Sequence, residues 1–187
     1  MSDMSSGSDQ GGREADAVLA AIHKGAALVQ VKGRGSFKVG PALKEFAATA
    51  LTNGCRVFVF DMNDCTGMDS TFMGVLAGIA MKVKNEPGAR IALINMSPKT
   101  QNLLETLGVT RLVEIHAAGD TSDDVKSLFA GLVGAEALSS AIEDRKLTLE
   151  TMLAAHEDLV KVSPDNLPKF KSVMAYLSAD LKQVEGG

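Results

Sequence analysis

The segment between Asp61 and Thr71 contains the residues of this chain that are best suited to carry a covalent modification. A predicted strand ends at Asp61, a polar loop follows, and Asp69-Ser70-Thr71 stands where a helix is expected to begin. A serine hydroxyl at a helix N-terminus lies beside unpaired backbone N–H groups, where the helix dipole tolerates an anion. This position predicts that the hydroxyl of Ser70 faces the surface and can carry a phosphate, about −1.5 to −2 charges, without melting the helix.

A phosphate on Ser70 would lie near Asp64 and Asp69 and would make this face strongly acidic. A partner docked there would be repelled by charge and bulk, while the fold barely moved. The simpler interpretation is that Ser70 only caps the helix, because serine is a preferred N-cap residue. Thr71 is either a secondary acceptor or an ordinary first-turn residue. Asp69 either orients the serine or contacts the partner, or it only adds a favourable charge at the helix start.

Strands and helices alternate up to residue 116, which predicts an α/β fold with a mixed sheet and helices packed on it. We expect strands at 17–22 and 26–31, which form an antiparallel hairpin, and at 56–60, 90–94 and 112–115, with helices that begin near 41, 70 and 98. Residues 33–36 and 61–69 are expected to be loops. Beyond residue 119 the pattern is helical over 123–133, 137–160 and from 163 onward, and the last two runs predict an appended helical hairpin.

The composition excludes several classes of protein. The chain has 187 residues, 19 Lys+Arg against 23 Asp+Glu, no tryptophan and one tyrosine, so we expect no nucleic-acid partner. The longest apolar run is far shorter than the roughly 20 residues of a bilayer crossing, and residues 1–13 predict a solvated tail with no targeting signal. Two cysteines that we expect to remain unpaired fit a cytoplasmic protein. No glycine-rich phosphate-binding motif occurs, so no cofactor is expected.

The helix start and its surroundings resemble the STAS family, whose small members include the bacterial anti-sigma factor antagonists. Residues 69–74, Asp-Ser-Thr-Phe-Met-Gly, are similar to the family's Asp-Ser-Ser/Thr-Gly-Leu-Gly, which follows a buried strand ending in Asp. The likeness continues through Ser97-Pro98, Leu103-Leu104, Leu107-Gly108 and Leu112-Val113. It covers roughly residues 15 to 116 in the family's order of elements. The resemblance implies a STAS-like sheet of four to five strands at 14–118, with a C-terminal helical extension at 119–187.

The resemblance also implies a function. Members of this kind are cytoplasmic, non-enzymatic regulators of bacterial transcription that act by partner switching. Ser70 would be phosphorylated by a serine kinase that doubles as the anti-sigma factor, and a metal-dependent serine phosphatase would restore it. Whether the chain forms a homodimer is left open. The residues implied in partner binding are Ser36, Asp69, Thr71, Phe72, Met73 and Gly74.

The sequence departs from the family pattern at four positions. Phe72-Met73 replaces Gly-Leu, so Phe72 is either an exposed apolar anchor for a partner or part of the core. Ser36 stands where the family usually has an acidic residue, which leaves the identity of the partner open. Cys65 replaces a buried aliphatic residue and predicts an inert core thiol.

Two other functions remain to be weighed. One is a non-switching STAS scaffold or a module that binds a small ligand. The other is an enzyme, because residues 57–63 resemble the first motif of haloacid-dehalogenase-like phosphatases, in which a strand ends in Asp-x-Asp. Here Asn63 stands in the place of the second acid, and an asparagine side chain cannot shuttle a proton. His23, His116 and His156 have no metal-ligand spacing, so no metal is expected and the three are interpreted as structural or solvated.

Overall fold

A computed structural model describes residues 15–140 and 143–186, so the tail expected at 1–13 lies outside the described residues. The strands are β1 (Ala17–His23), β2 (Ala26–Gly35), β3 (Val57–Asp61), β4 (Cys65–Met68), β5 (Arg90–Met96) and β6 (Glu114–Ala117). The helices are α1 (Gly40–Thr52), α2 (Ser70–Lys84), α3 (Pro98–Thr106), α4 (Asp123–Leu128), α5 (Arg145–Val162) and α6 (Leu167–Gly186). Four short 3-10 turns lie at Phe37–Val39, Val109–Leu112, Phe129–Leu132 and Pro164–Asn166.

The sheet is mixed, and its strands lie in the order β1-β2-β3-β5-β6, with β4 paired to the far end of β2. Strands β1 and β2 form the expected antiparallel hairpin, and the other pairings are parallel. Lys24 and Gly25 at the hairpin turn both have positive φ, 49° and 75°. Two such residues give the turn the right twist to join antiparallel strands directly.

Strand β3 is covered on both faces, as its continuous apolar sequence predicts. Phe58 and Phe60 face the main core, which they share with α1 and α2. Val59 faces a smaller cluster with Leu28 and Leu132, against which the α4 region packs. The first C-terminal segment therefore covers the second face of the sheet, and β3 is held in the middle of the domain.

Four expectations about the elements are wrong. The loop predicted at 61–69 contains β4, and the loop predicted at 33–36 is mostly the end of β2, because these two segments pair with each other. The last strand begins at Glu114, after a 3-10 turn, and not at residue 112. The helix predicted from 137 begins at Arg145, because Asp144 caps it by accepting a hydrogen bond from the backbone N–H of Leu147 at 2.9 Å.

Helices α5 and α6 form the expected hairpin, called here the C-terminal hairpin. Lys146 near the start of α5 pairs with Glu185 near the end of α6 at 3.1 Å, so the helices run in opposite directions. Buried Asn166 between them donates to the backbone carbonyls of Leu107 and Leu159 at 2.9 and 2.8 Å. This side chain ties the hairpin to the end of α3. Among the residues that the structure describes, no helix is long and apolar enough to cross a membrane.

Candidate functional site

Asp69 is the residue that fixes the start of α2. One carboxylate oxygen accepts a hydrogen bond from the backbone N–H of Phe72 at 2.8 Å, and the other accepts from the backbone N–H of Phe37 at 2.8 Å. The same residue's N–H donates to the carbonyl of Gly35 at 3.0 Å. Asp69 is therefore the N-cap of α2 and also ties the helix to the end of β2. The interpretation of Ser70 as the cap is wrong, because the preceding aspartate already holds that position.

The hydroxyl of Ser70 is bonded to a histidine from the C-terminal hairpin. Its Oγ lies 2.9 Å from Nε2 of His156, and the other ring nitrogen of His156 lies 2.7 Å from the carbonyl oxygen of Met152. A carbonyl can only accept, so Nδ1 carries a proton, and in the tautomer with the proton on Nδ1 alone Nε2 accepts from the hydroxyl of Ser70. The ring is 2% exposed and packs edge-on against Phe170, with centroids 5.0 Å apart.

This contact corrects the expectation that Ser70 faces open solvent. The residue is half-buried because α5 lies across the first turns of α2. The approach is so close that a Cβ at Gly74 would collide with the carbonyl oxygen of Ala155. The glycine at position 74 of α2 thus leaves room for α5, and the hydroxyl of Ser70 points toward α5.

The structure places the other predicted partner-binding residues in two groups. Thr71, Phe72, Met73 and Gly74 are buried, and only Asp69 and Ser36 keep partial exposure. Phe72 is 0% exposed and lies against Gly35, so it belongs to the core and is not an exposed anchor. The reason is that Phe72 points from the first turn of α2 toward the sheet, whereas Ser70 points toward α5.

The Asp61 side chain connects the end of β3 to its two neighbouring parallel strands, β2 and β5. It accepts from the side-chain amide of Asn95 at 2.8 Å and from that of Gln30 at 3.4 Å, and also from the backbone N–H of Asn63 at 3.0 Å. These contacts give Asp61 a structural task at the end of β3. Within the described parts of the chain, no group of three or more histidine, cysteine or acidic residues could hold a metal ion.

Both cysteines are free and buried. Burial raises the pKa of the Cys65 thiol above its ordinary value, although hydrogen bonding with the backbone of Gly67 and Gly35 and the charge of Lys99 act in the opposite direction. A thiol that stays protonated is a poor nucleophile. This agrees with the interpretation of Cys65 as an inert core residue.

His156 is the site residue whose partner sequence reasoning did not identify: interpreted as structural or solvated, it is buried and both of its ring nitrogens are hydrogen-bonded. It lies on the same predicted helix face as Met152 and Leu159, where a buried polar ring needs a partner. That pattern indicates that His156 has a hydrogen-bond partner. It does not identify Ser70, which lies 86 positions away in the sequence.

Residues 17–125 match the model of the STAS domain, which is more than half of the chain, so the chain belongs to the STAS family. The match ends before α5, and the C-terminal hairpin lies outside it. No curated protein matches the sequence. The predicted family and α/β fold are confirmed, with β4 as a sixth strand.

Several solved structures are similar to this chain. A putative anti-sigma factor antagonist from Thermotoga maritima has 17% identity and a TM-score of 0.50, covering 59% of this chain and 93% of that one. An anti-sigma factor antagonist from Mycobacterium paratuberculosis has 19% identity and a TM-score of 0.49, covering 61% and 94%. A sulfate transporter family protein from Wolinella succinogenes has 19% identity and a TM-score of 0.47, covering 61% and 92%. At these identities, the likeness to the Thermotoga protein establishes the fold alone.

Proposed function

We propose that this STAS protein is a regulator of the anti-sigma factor antagonist type, and that phosphorylation of Ser70 controls its binding to a protein partner. The observation that carries the proposal is that Asp69, and not Ser70, caps α2. The hydroxyl of Ser70 is therefore not needed to stabilise the helix start. A modification of Ser70 can then change the surface without breaking the helix start.

The group transferred would come from ATP through a serine kinase that is also the binding partner. A bond forms between Ser70 Oγ and the γ-phosphorus, the bond from that phosphorus to the β-phosphate oxygen breaks, and ADP leaves. The hydroxyl proton goes to a base in the active site of the kinase. A metal-dependent serine phosphatase would reverse the modification by adding water across the ester bond.

The expected effect of the phosphate is electrostatic. It adds about −1.5 to −2 charges beside Asp69, at the end of α2 where the helix dipole favours an anion. The helix therefore tolerates the group, while a partner docked against Asp69 and Ser36 is repelled. Partner binding requires the unmodified serine, and the protein itself performs no catalysis. Two buried free thiols favour the bacterial cytoplasm as its location.

Capture from a lysate of the native cells, with and without ATP, tests this proposal. Wild type should bind a serine kinase without ATP and release it with ATP, because phosphorylation of Ser70 builds up. Ser70→Ala should retain the kinase under both conditions, and Ser70→Asp should not bind it. Ser97→Asp is the matched control, since Ser97 caps α3 and aspartate is an equally good cap, so this variant adds the same charge at another helix start.

The competing function, a non-switching STAS scaffold, predicts different results in the same experiment. Its complexes would be stable and indifferent to ATP, and Ser70→Asp would bind as wild type does. That pattern would refute the switch while leaving the family assignment intact.

A further inference from the structure

The C-terminal hairpin covers the part of α2 on which the proposed switch depends. His156 contacts the hydroxyl of Ser70, and Ala155 lies directly over Gly74. One turn further along α2, a Cβ at Gly78 would collide with the carboxylate of Asp158. Helix α5 therefore follows α2 for at least two turns from Ser70 onward, and its residues occupy that face.

The covered hydroxyl has no room for a phosphoryl group. The 2.9 Å between Ser70 Oγ and His156 Nε2 is a hydrogen-bond distance, and a phosphorus atom with three oxygens cannot fit between the two atoms. A kinase active site cannot reach the hydroxyl from the side that α5 occupies either. With the hydroxyl in this orientation, phosphorylation of Ser70 thus requires α5 to move away from α2.

The hairpin is connected to the sheet through a segment without helix and packs on the main core through Ala155 and Leu159, so opening exposes these two side chains. The match to the STAS domain ends at residue 125, and residues 133–140 between α4 and α5 hold no helix. The described part of this connection contacts the sheet through Ala137 and Leu138, which bond to the edge strand β1. The two helices are joined to each other by ion pairs at 3.1 and 3.6 Å near their free ends.

We propose that the C-terminal hairpin is an intramolecular cap that competes with the protein partner and its kinase for the α2 face. This inference rests on the proposed function of Ser70. In the closed state the hydrogen bond from Ser70 to His156 and the close fit at Gly74 hold the cap in place. A partner binds only the open state, so its apparent dissociation constant is the intrinsic one divided by the open fraction. A phosphate on Ser70 prevents reclosure, because it occupies the position of the imidazole.

A reversible crosslink can hold the cap closed in the full chain. A Cβ built at Gly78 lies 4.0 Å from the Cβ of Asp158, within the range that a disulfide spans. The double variant Gly78→Cys/Asp158→Cys should therefore form a disulfide between α2 and α5. Reduction opens the crosslink in the same protein, which makes each preparation its own control.

Access to position 70 is measured by alkylation of a Ser70→Cys variant with iodoacetamide, followed by peptide mass spectrometry. Native Cys55, which is 2% exposed, is the internal reference for global unfolding. In the reduced protein, position 70 should react faster than Cys55. Oxidation of the crosslink should slow its reaction by about tenfold or more, and reductant should restore the rate.

Two results with the crosslinked variant would overturn the cap. Equal rates at position 70 with the crosslink oxidised and reduced would show that closure does not control access. A rate in the reduced protein no faster than that of Cys55 would show that the hairpin is permanent packing. If the crosslink does not form, Gly74→Ala replaces it, since its Cβ collides with Ala155 and should speed alkylation at position 70 alone. An equal increase at Cys55 would mean general destabilisation and would also refute the cap.

The alkylation experiment needs neither kinase nor partner. A result that refutes the cap can therefore be told apart from a result that refutes the proposed function. Gated access to position 70 without any phosphorylation of Ser70 in native cells would refute the switch and leave the cap intact. Phosphorylation of Ser70 with ungated access would do the reverse.

Discussion

The hydrogen bond between Ser70 and His156 couples the STAS domain to its C-terminal hairpin, and a double-mutant cycle measures that coupling. Ser70→Ala leaves the buried Nε2 of His156 without its donor, which we expect to cost about 1–3 kcal/mol of unfolding free energy. His156→Ala removes the same bond and also a ring that is 2% exposed, so we expect a loss of about 2–5 kcal/mol. With both substitutions the bond is lost only once, and the double variant should be more stable than additivity predicts by about 1–2 kcal/mol.

Urea unfolding of the four proteins, followed by circular dichroism, gives the coupling free energy. The m-values should agree among the four, because otherwise a two-state comparison is not valid. Ser127→Ala combined with His156→Ala is the matched control. Ser127 lies in α4, on the other face of the sheet, and bonds locally to the carbonyl of Asp124, so this pair should be additive. A coupling between Ser70 and His156 below about 0.5 kcal/mol would refute the contact on which the site is built.

Three further predictions concern the frame around the site. Asp69→Ala should lower the unfolding free energy by about 2–4 kcal/mol, because one carboxylate caps α2 and also holds a second backbone N–H. Asn166→Ala should lower it by about 2–3 kcal/mol, since two backbone carbonyls lose their donor where the hairpin meets α3. Because burial raises the pKa of the Cys65 thiol, the unfolded chain releases this proton first as pH rises. Stability should therefore fall as pH rises above the ordinary thiol pKa of about 8.5, and less so in Cys65→Ala.

Exposed neighbours provide the controls for these variants. Asp64→Ala removes a carboxylate that accepts from the exposed side chain of Asn63, and it should change stability by no more than about 0.5 kcal/mol. Asp165→Ala, next to Asn166, should be similarly mild. If either control costs as much as its partner, the assigned hydrogen bonds do not explain the loss. An identical pH dependence in wild type and Cys65→Ala would show that the Cys65 thiol does not cause the loss of stability at high pH.

The elements with strong local signals were predictable from the sequence. The Lys24-Gly25 turn between two apolar runs predicts the hairpin, and the apolar pattern after Pro41 predicts α1. Strand β4 has only four residues with no alternation of its own, and it exists because the end of β2 pairs with it. The start of α5 was misplaced for a related reason, since residue 137 bridges to β1 at Leu19 and the chain turns helical only after Asp144.

The candidate site divides in the same way. That a hydroxyl stands at the start of α2 follows from the Asp-Ser-Thr motif and the helix that begins there. Which residue caps the helix is not decided by propensity, because aspartate and serine are both preferred caps and stand side by side at 69 and 70. What covers Ser70 depends on how α5 packs, since neither local propensity nor spacing brings residue 156 to residue 70.

Locating phosphate on the chain after incubation with ATP and the kinase captured from native cells is the most direct test of Ser70 as the switch. Peptide mass spectrometry should find one phosphate on Ser70 in wild type and none in Ser70→Ala. Thr71→Val should carry as much phosphate on Ser70 as wild type does, because the hydroxyl of Thr71 is buried and is no acceptor. Phosphorylation of Ser70→Ala at the level of wild type, or phosphate found only at other positions, would contradict the claim that this hydroxyl is the switch.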